Sequence, residues 1–206
     1  MSNRIGSVLA SGARWATVSR STRETQITVT LKLDGTGETE IETGVGFYDH
    51  LLNSLAHHAL FDLEIKATGD LVIDEHHTVE DVALTLGAAL AEALGDRSGI
   101  VRFGDAAVPM DESVATAVVD VGGRPYAIVD LPFRGKRAGK LPLELIEHSL
   151  ESFARAGGVT LNVKGRGRND HHLAEAAFKA LGRALSAAVA IDPRRVGPAS
   201  TKGSLG

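Results

Sequence analysis

The chain contains no cysteine, which excludes a disulfide framework and any thiolate metal site, so a bound metal must be held by nitrogen and oxygen. Aromatic residues make up only 4%, too few for the stacking platforms on which single-stranded nucleic acid is bound. No stretch approaches the roughly 18 uninterrupted apolar residues of a membrane-spanning helix. Residues 1–13 are too short and too polar for a secretory signal with an apolar centre. One-signed charge is missing as well: a net charge of -4 with acids and bases interspersed gives no overall field for nucleic acid or an anionic membrane, and leaves local Arg and Lys clusters for a small anion. Together these absences indicate a soluble, cytoplasmic protein with a small-molecule partner.

What is present is enough for a sizeable core, since 43% of the 206 residues are hydrophobic, and it is organised around a repeated phrase. Asp74-Glu75-His76-His77-Thr78-Val79-Glu80 recurs as Asn169-Asp170-His171-His172-Leu173-Ala174-Glu175. The likeness runs on: Leu86, Gly87, Ala89 and Leu90 are answered by Leu181, Gly182, Ala184 and Leu185. Upstream of each doublet lies another acid-His pair, Asp49-His50 before the first and Glu147-His148 before the second. The repeating unit is therefore about half the chain. At about 100° per residue, His77 stands round from His76 with Glu80 between them, so the doublet and its glutamate are expected on one face of a helix.

In chain order, Arg14 to Ser21 and Gln26 to Leu33 alternate apolar with polar or β-branched residues, the period of half-buried strands. After the turn chemistry of Asp34-Gly35-Thr36-Gly37, Thr39 to Thr43 is expected to return as a third strand of a β-meander. Phe47 to His58 reads as a helix, Phe61 to Thr68 as a strand, Leu71 to Ile73 as a short extended piece, and about His77 to Leu94 as a helix stopped by Gly95. The second half repeats the order. Ile100 to Val108, Ser113 to Val121 and Tyr126 to Leu131 read as strands, and a Gly- and Lys-rich loop spans Arg134 to Lys140. A helix over about Glu144 to Ala156, a strand over Val159 to Val163 and a last helix ending near Ala190 complete it. The expected organisation is a flexible leader (1–13), two α/β two-layer repeats (14–97 and 98–192) forming one compact unit with the helix layers packed together between two sheets, and a mobile polar tail (193–206).

Six of the eight histidines, His50, His148 and the two doublets, stand at matched positions of the repeat, each doublet with a glutamate in register, and point to metal binding. The spacing differs from His-Glu-x-x-His, where the glutamate stays free as a base. A nitrogen and carboxylate shell suits Mn2+, Fe2+ or Zn2+. Asp74, Glu75 and Asp170, at the helix starts, read either as N-caps or as carboxylates that orient the imidazoles. Arg102, Arg124, Lys179 and the tail residues Ser200, Thr201 and Lys202 read either as solvated charges or as an anion pocket closed by a phosphate clamp.

The motifs Gly44-Val-Gly-Phe-Tyr-Asp-His50, Asp74 to Asp81, Asn169 to Glu175 and Ser200-Thr-Lys-Gly203, in this order, make the chain similar to the imidazoleglycerol-phosphate dehydratase family of histidine biosynthesis. The likeness runs from about Arg14 to the C-terminus and departs at Leu52, where methionine is frequent in that family. It implies a tandem duplication of a fold like the second domain of ribosomal protein S5, two Mn2+ per active site, and homo-oligomers of 24 subunits with sites between them. Carried over position by position, it implies His50, His76, His77, Glu80, His148, His171, His172 and Glu175 as metal ligands. It places Glu24, His58, Arg102, Arg124, Lys179, Ser200, Thr201 and Lys202 around the substrate, with Glu24, Glu80 and Glu175 as the carboxylates among which a general base is sought. The implied reaction is loss of water from imidazole glycerol phosphate to give imidazole acetol-phosphate. Two other readings compete: a dinuclear metal-dependent phosphoester hydrolase, and a relative in fold only that binds RNA or stores metal.

Overall fold

The computed structural model describes residues 14–205; the expected leader lies outside them. The first half contains β1 (Trp15–Ser21), β2 (Thr25–Lys32), β3 (Thr39–Glu42), α1 (Gly46–Ala59), β4 (Asp62–Gly69) and α2 (His76–Leu94). The second contains β5 (Phe103–Met110), β6 (Ser113–Asp120), β7 (Tyr126–Asp130), the two-residue strands β8 (Arg137–Ala138) and β9 (Leu141–Pro142), α3 (Glu144–Gly157), β10 (Thr160–Arg166) and α4 (Asp170–Val189). In β2 the alternation of the sequence becomes an alternation of environment: Ile27, Val29 and Leu31 are buried, with polar residues between them facing outward.

The two four-stranded sheets have the orders β1-β2-β4-β3 and β5-β6-β10-β7, the same topology twice. This corrects the meander. Strand β3 does not return beside β2 but pairs in parallel with β4, Ile41 opposite Ile65, while β4 lies antiparallel to β2. A parallel partner needs a crossover, and α1 supplies it; β7, α3 and β10 repeat the arrangement. Three local expectations also change. The strand predicted from Ile100 begins only at Phe103, because Arg102 takes a positive φ of 80° and breaks the extended path. Leu71 to Ile73 forms a turn, Ile73 N–H donating to Asp70 O at 2.7 Å. The Gly- and Lys-rich loop carries the β8–β9 hairpin.

Helices α2 and α4 lie on the sheets of their own halves, against β1 and β2 and against β5 and β6, while α2 packs on α3 and α1 on α4 across the halves. The repeated glycines sit at these crossings. A Cβ on Gly87 would stand 2.4 Å from Phe153 O of α3, and one on Gly182 2.3 Å from Leu55 O of α1. Only a residue without a side chain lets the backbones approach so closely. The repeated Leu-Gly-x-Ala-Leu is thus the seam between the halves, and the crossing it permits brings each acid-His helix to the other half's doublet.

The tail is attached along its first part. Ser98 and Pro198 form a bridge, Gly99 N–H donates to Gly197 O at 2.9 Å, and Arg102 donates to Ala199 O at 2.7 Å.

Candidate active site

Two matching donor clusters stand where the helices cross. In one, His76 and Glu80, a turn apart on α2, meet His148 of α3: the imidazole Nε2 atoms lie 3.9 and 3.5 Å from the Glu80 carboxylate. In the other, His171 and Glu175 of α4 meet His50 of α1, at 3.3 and 3.1 Å. Each has one ligand-type atom from all three residues within 4.8 Å of the others. Both clusters combine the two halves of the chain.

The second imidazole of each doublet is not brought into these clusters. His77 lies with its ring 6.1 Å from that of His76 and inclined at 80°, and His172 stands likewise to His171 at 88°. The single arc expected for the whole triplet therefore divides: residues four apart stack on one face, while neighbours diverge by about 100°. His77 Nδ1 lies 3.0 Å from Asp70 Oδ2 and 3.8 Å from Glu24, and His172 Nδ1 lies 2.9 Å from Glu112 Oε2. The hydrogen bond to Asp70 raises the pKa of His77, and that to Glu112 raises the pKa of His172.

The two helix starts differ: the N-cap of α2, Glu75, makes no side-chain capping hydrogen bond, whereas that of α4 does. Asp74 accepts from His76 N–H, and Asn169 caps α4 by accepting from His171 and His172 N–H. Glu75 pairs with Arg137, and Asp170 accepts from the backbone of Arg134 and Gly135. The carboxylates against imidazole Nδ1 are instead Asp70 and Glu112, which sequence reasoning missed. Both sit in turns, where an acidic residue is unremarkable.

The glutamates of the two clusters differ. Glu175 is buried, which would raise its pKa, but hydrogen bonds from Lys179 at 2.7 Å and from His50 outweigh burial and hold it at about 2. Glu80 is more open and faces the exposed Arg155 at 3.2 Å. Lys179 is therefore beside the second cluster. His58, at the end of α1, has its pKa lowered by burial and then by the charge of Lys179.

Away from both clusters, Arg102, Arg124, Ala199, Ser200, Thr201 and Lys202 line a cavity of about 580 Å³. Arg102 is held there by Asp120, which accepts two hydrogen bonds of 2.7 and 2.8 Å, and it also ties the tail through Ala199. Of the residues expected to form an anion pocket, Lys179 does not line this cavity, and neither do Glu24 and His58, which were expected around the substrate.

Residues 43–185 match the family described as imidazoleglycerol-phosphate dehydratase. A curated protein of that name from Methanoculleus marisnigri is 54% identical over 192 residues, covering 93% of this chain and all of the relative, and one from Dehalococcoides mccartyi is 54% identical over 194 residues, covering 93% and 97%. The chain belongs to the imidazoleglycerol-phosphate dehydratase family. It is thereby an enzyme, a hydro-lyase of histidine biosynthesis. The fold agrees with solved family structures. The dehydratase from Staphylococcus aureus superposes with a TM-score of 0.78 at 33% identity, covering 86% of this chain and 99% of the other. The enzyme from Pyrococcus furiosus, in complex with (S)-C348, gives 0.79 at 36%, covering 91% and 100%. Among the described residues no helix is long and apolar enough to cross a membrane.

Proposed function

We propose that this chain dehydrates imidazole glycerol phosphate to imidazole acetol-phosphate in the cytoplasm, using two Mn2+ per active site in assemblies of 24 copies. The observation that carries the reading is the pair of His-Glu-His clusters. Their donors are all nitrogen and carboxylate oxygen, as hard or borderline divalent ions prefer. In the first cluster His148 Nε2 is buried without a hydrogen-bond partner, an arrangement that is costly unless the atom has an occupant. His76, Glu80 and His148 would hold one ion, and His50, His171 and Glu175 the other, with His77 and His172 left to ligate from elsewhere. Held by these residues, a divalent ion would lower the cost of the anionic form of the substrate's imidazole, which would ease departure of the neighbouring hydroxyl.

The remaining work falls to side chains. Glu80 and Glu175 would be committed to the ions, whereas Glu24 belongs to neither cluster and is about half exposed, 3.8 Å from His77. Glu24 is thus the carboxylate with room to take the C–H proton. Arg102, Arg124, Ser200, Thr201 and Lys202 would bind the phosphate. Since Glu24, the Lys179–His58 region and the tail cavity lie apart on one chain, a site completed between copies fits them better than one within a chain.

The test is incubation with imidazole glycerol phosphate with and without Mn2+, reading the enolised keto product by ultraviolet absorbance and free phosphate in the same samples. Mn2+-dependent keto product with phosphate retained is expected. Phosphate release without keto product would overturn the reading in favour of a metallophosphoesterase.

A further inference from the structure

His77 and His172 each place Nδ1 against a carboxylate, Asp70 at 3.0 Å and Glu112 at 2.9 Å. An ionised carboxylate only accepts, so Nδ1 carries the hydrogen and the Nε2 lone pair is left free for an ion. The two carboxylates come from different places in the repeat: Asp70 follows β4, and Glu112 sits in the β5–β6 turn. We propose that Asp70 and Glu112 are positioning residues that fix the Nε2-ligating tautomer of His77 and His172, and that only Glu112 is locked into this role by the backbone around it. The proposal rests on the metal reading above.

The lock is visible in the other carboxylate oxygen. Glu112 Oε1 accepts from Asn169 N–H at 2.8 Å, Arg168 N–H at 3.1 Å and Ser113 Oγ–H at 2.8 Å. Two of these donors are backbone amides and cannot change role. Asp70 Oδ1 is buried and has no partner. An amide substitution therefore acts differently at the two positions. With Glu112→Gln, the three donors keep the carbonyl oxygen where Oε1 was, and the amide nitrogen faces His172 Nδ1. Its N–H can only donate there, which moves the imidazole hydrogen to Nε2 and removes the ligating lone pair. With Asp70→Asn nothing fixes the amide, so it can turn its carbonyl to His77 and keep the tautomer. The cost then falls on folding, through an amide nitrogen buried without an acceptor.

The experiment is Mn2+ titration of the metal-free full-length protein, free Mn2+ being followed by electron paramagnetic resonance, with thermal midpoints of the metal-free samples measured alongside. Glu112→Gln is expected to weaken Mn2+ binding by about 10- to 100-fold, and Asp70→Asn by clearly less. Asp111→Asn, altering an exposed carboxylate 3.9 Å from the same ring, should change nothing. Glu112→Asp, which restores a group that only accepts, should recover most of the loss. A purely structural role for Glu112 would lower the thermal midpoint and leave the Mn2+ affinity of the folded protein alone. Unchanged affinity in Glu112→Gln, an equal or larger loss in Asp70→Asn, or no recovery in Glu112→Asp overturns the proposal. If the wild-type protein itself binds no Mn2+, the metal reading falls and this proposal with it, an outcome distinct from variants that bind as the wild type does.

Discussion

His148 on α3 brings Nε2 to 3.5 Å from the carboxylate of Glu80 on α2, and His50 on α1 stands in the same relation to Glu175 on α4, at 3.1 Å. Each half of the duplicated chain completes the cluster of the other. Duplication thus does more than copy a site: the helix that follows β3 in one half serves the doublet of the other, so neither half alone assembles three donors.

Single substitutions should separate the two clusters. His148→Ala is expected to remove the ion bound near Glu80 and to spare that near Glu175, so metal analysis should fall from about two ions per chain to about one. His50→Ala should do the converse. Retention of full metal content in both variants would show that these imidazoles hold no ion.

The glycines of the seam give a prediction of opposite signs. Ala in place of Gly in a helix ordinarily gains about 1 kcal/mol, but at Gly182 the new methyl would lie 2.3 Å from a backbone carbonyl oxygen, which no rotamer change relieves. Gly182→Ala is therefore expected to destabilise by about 1–3 kcal/mol. Gly46, at the start of α1, has nothing within 4 Å of a built Cβ, so Gly46→Ala should stabilise by about 0.4–1 kcal/mol. Urea midpoints of both variants decide it, and a shift in the same direction for both would refute the packing argument.

These two cases also mark how far the sequence reads. The doublets, the acid-His pairs and Leu-Gly-x-Ala-Leu are visible as repetition, and period-2 alternation locates β1 and β2 to within a residue or two. Alternation says nothing about which strand lies beside which, so the place of β3 at the edge beyond β4 was not legible. Nor was the pairing of His148 with Glu80, because it depends on α2 crossing α3, and the glycine that permits the crossing looks from sequence like any small helical residue. Asp70 and Glu112 escape for another reason: their role is defined by an imidazole that reaches them only in the folded chain.

Asp62 offers a pH test away from both His-Glu clusters. Its carboxyl is held well below the usual range by a hydrogen bond from Lys32, and further by the backbone N–H groups of Thr36 and Glu38. A folded-state pKa depressed below the unfolded value of about 3.9 contributes stability above that value, and the contribution is lost as pH falls towards the folded pKa. Asp62→Asn should therefore be less stable than the wild type at pH 7, with the gap closing as pH falls below about 4. Urea midpoints at several pH values check the sign. A gap independent of pH would mean that the loop from Asp34 to Glu38 is not held by the charge.

The tail supplies the last test. Arg102 is already committed to Asp120, whereas Lys202 lines the same cavity and forms no ion pair among the described residues. Its charge is available to a phosphate. A charge-assisted hydrogen bond contributes about 1.5–3 kcal/mol, so Lys202→Ala is expected to raise KM by roughly tenfold or more. Because the tail contributes no metal donor, Mn2+ content and particle size should stay at wild-type values. A fall in kcat as well would indicate that closure of the segment over the substrate also helps exclude water. Asp120→Asn makes a useful companion: it leaves Lys202 in place but loosens Arg102, and through Arg102 the link to Ala199, so it should raise KM with Lys202 intact. If Lys202→Ala keeps its metal, its size and both kinetic constants, the phosphate is bound elsewhere and Ser200 to Lys202 is an ordinary solvated terminus.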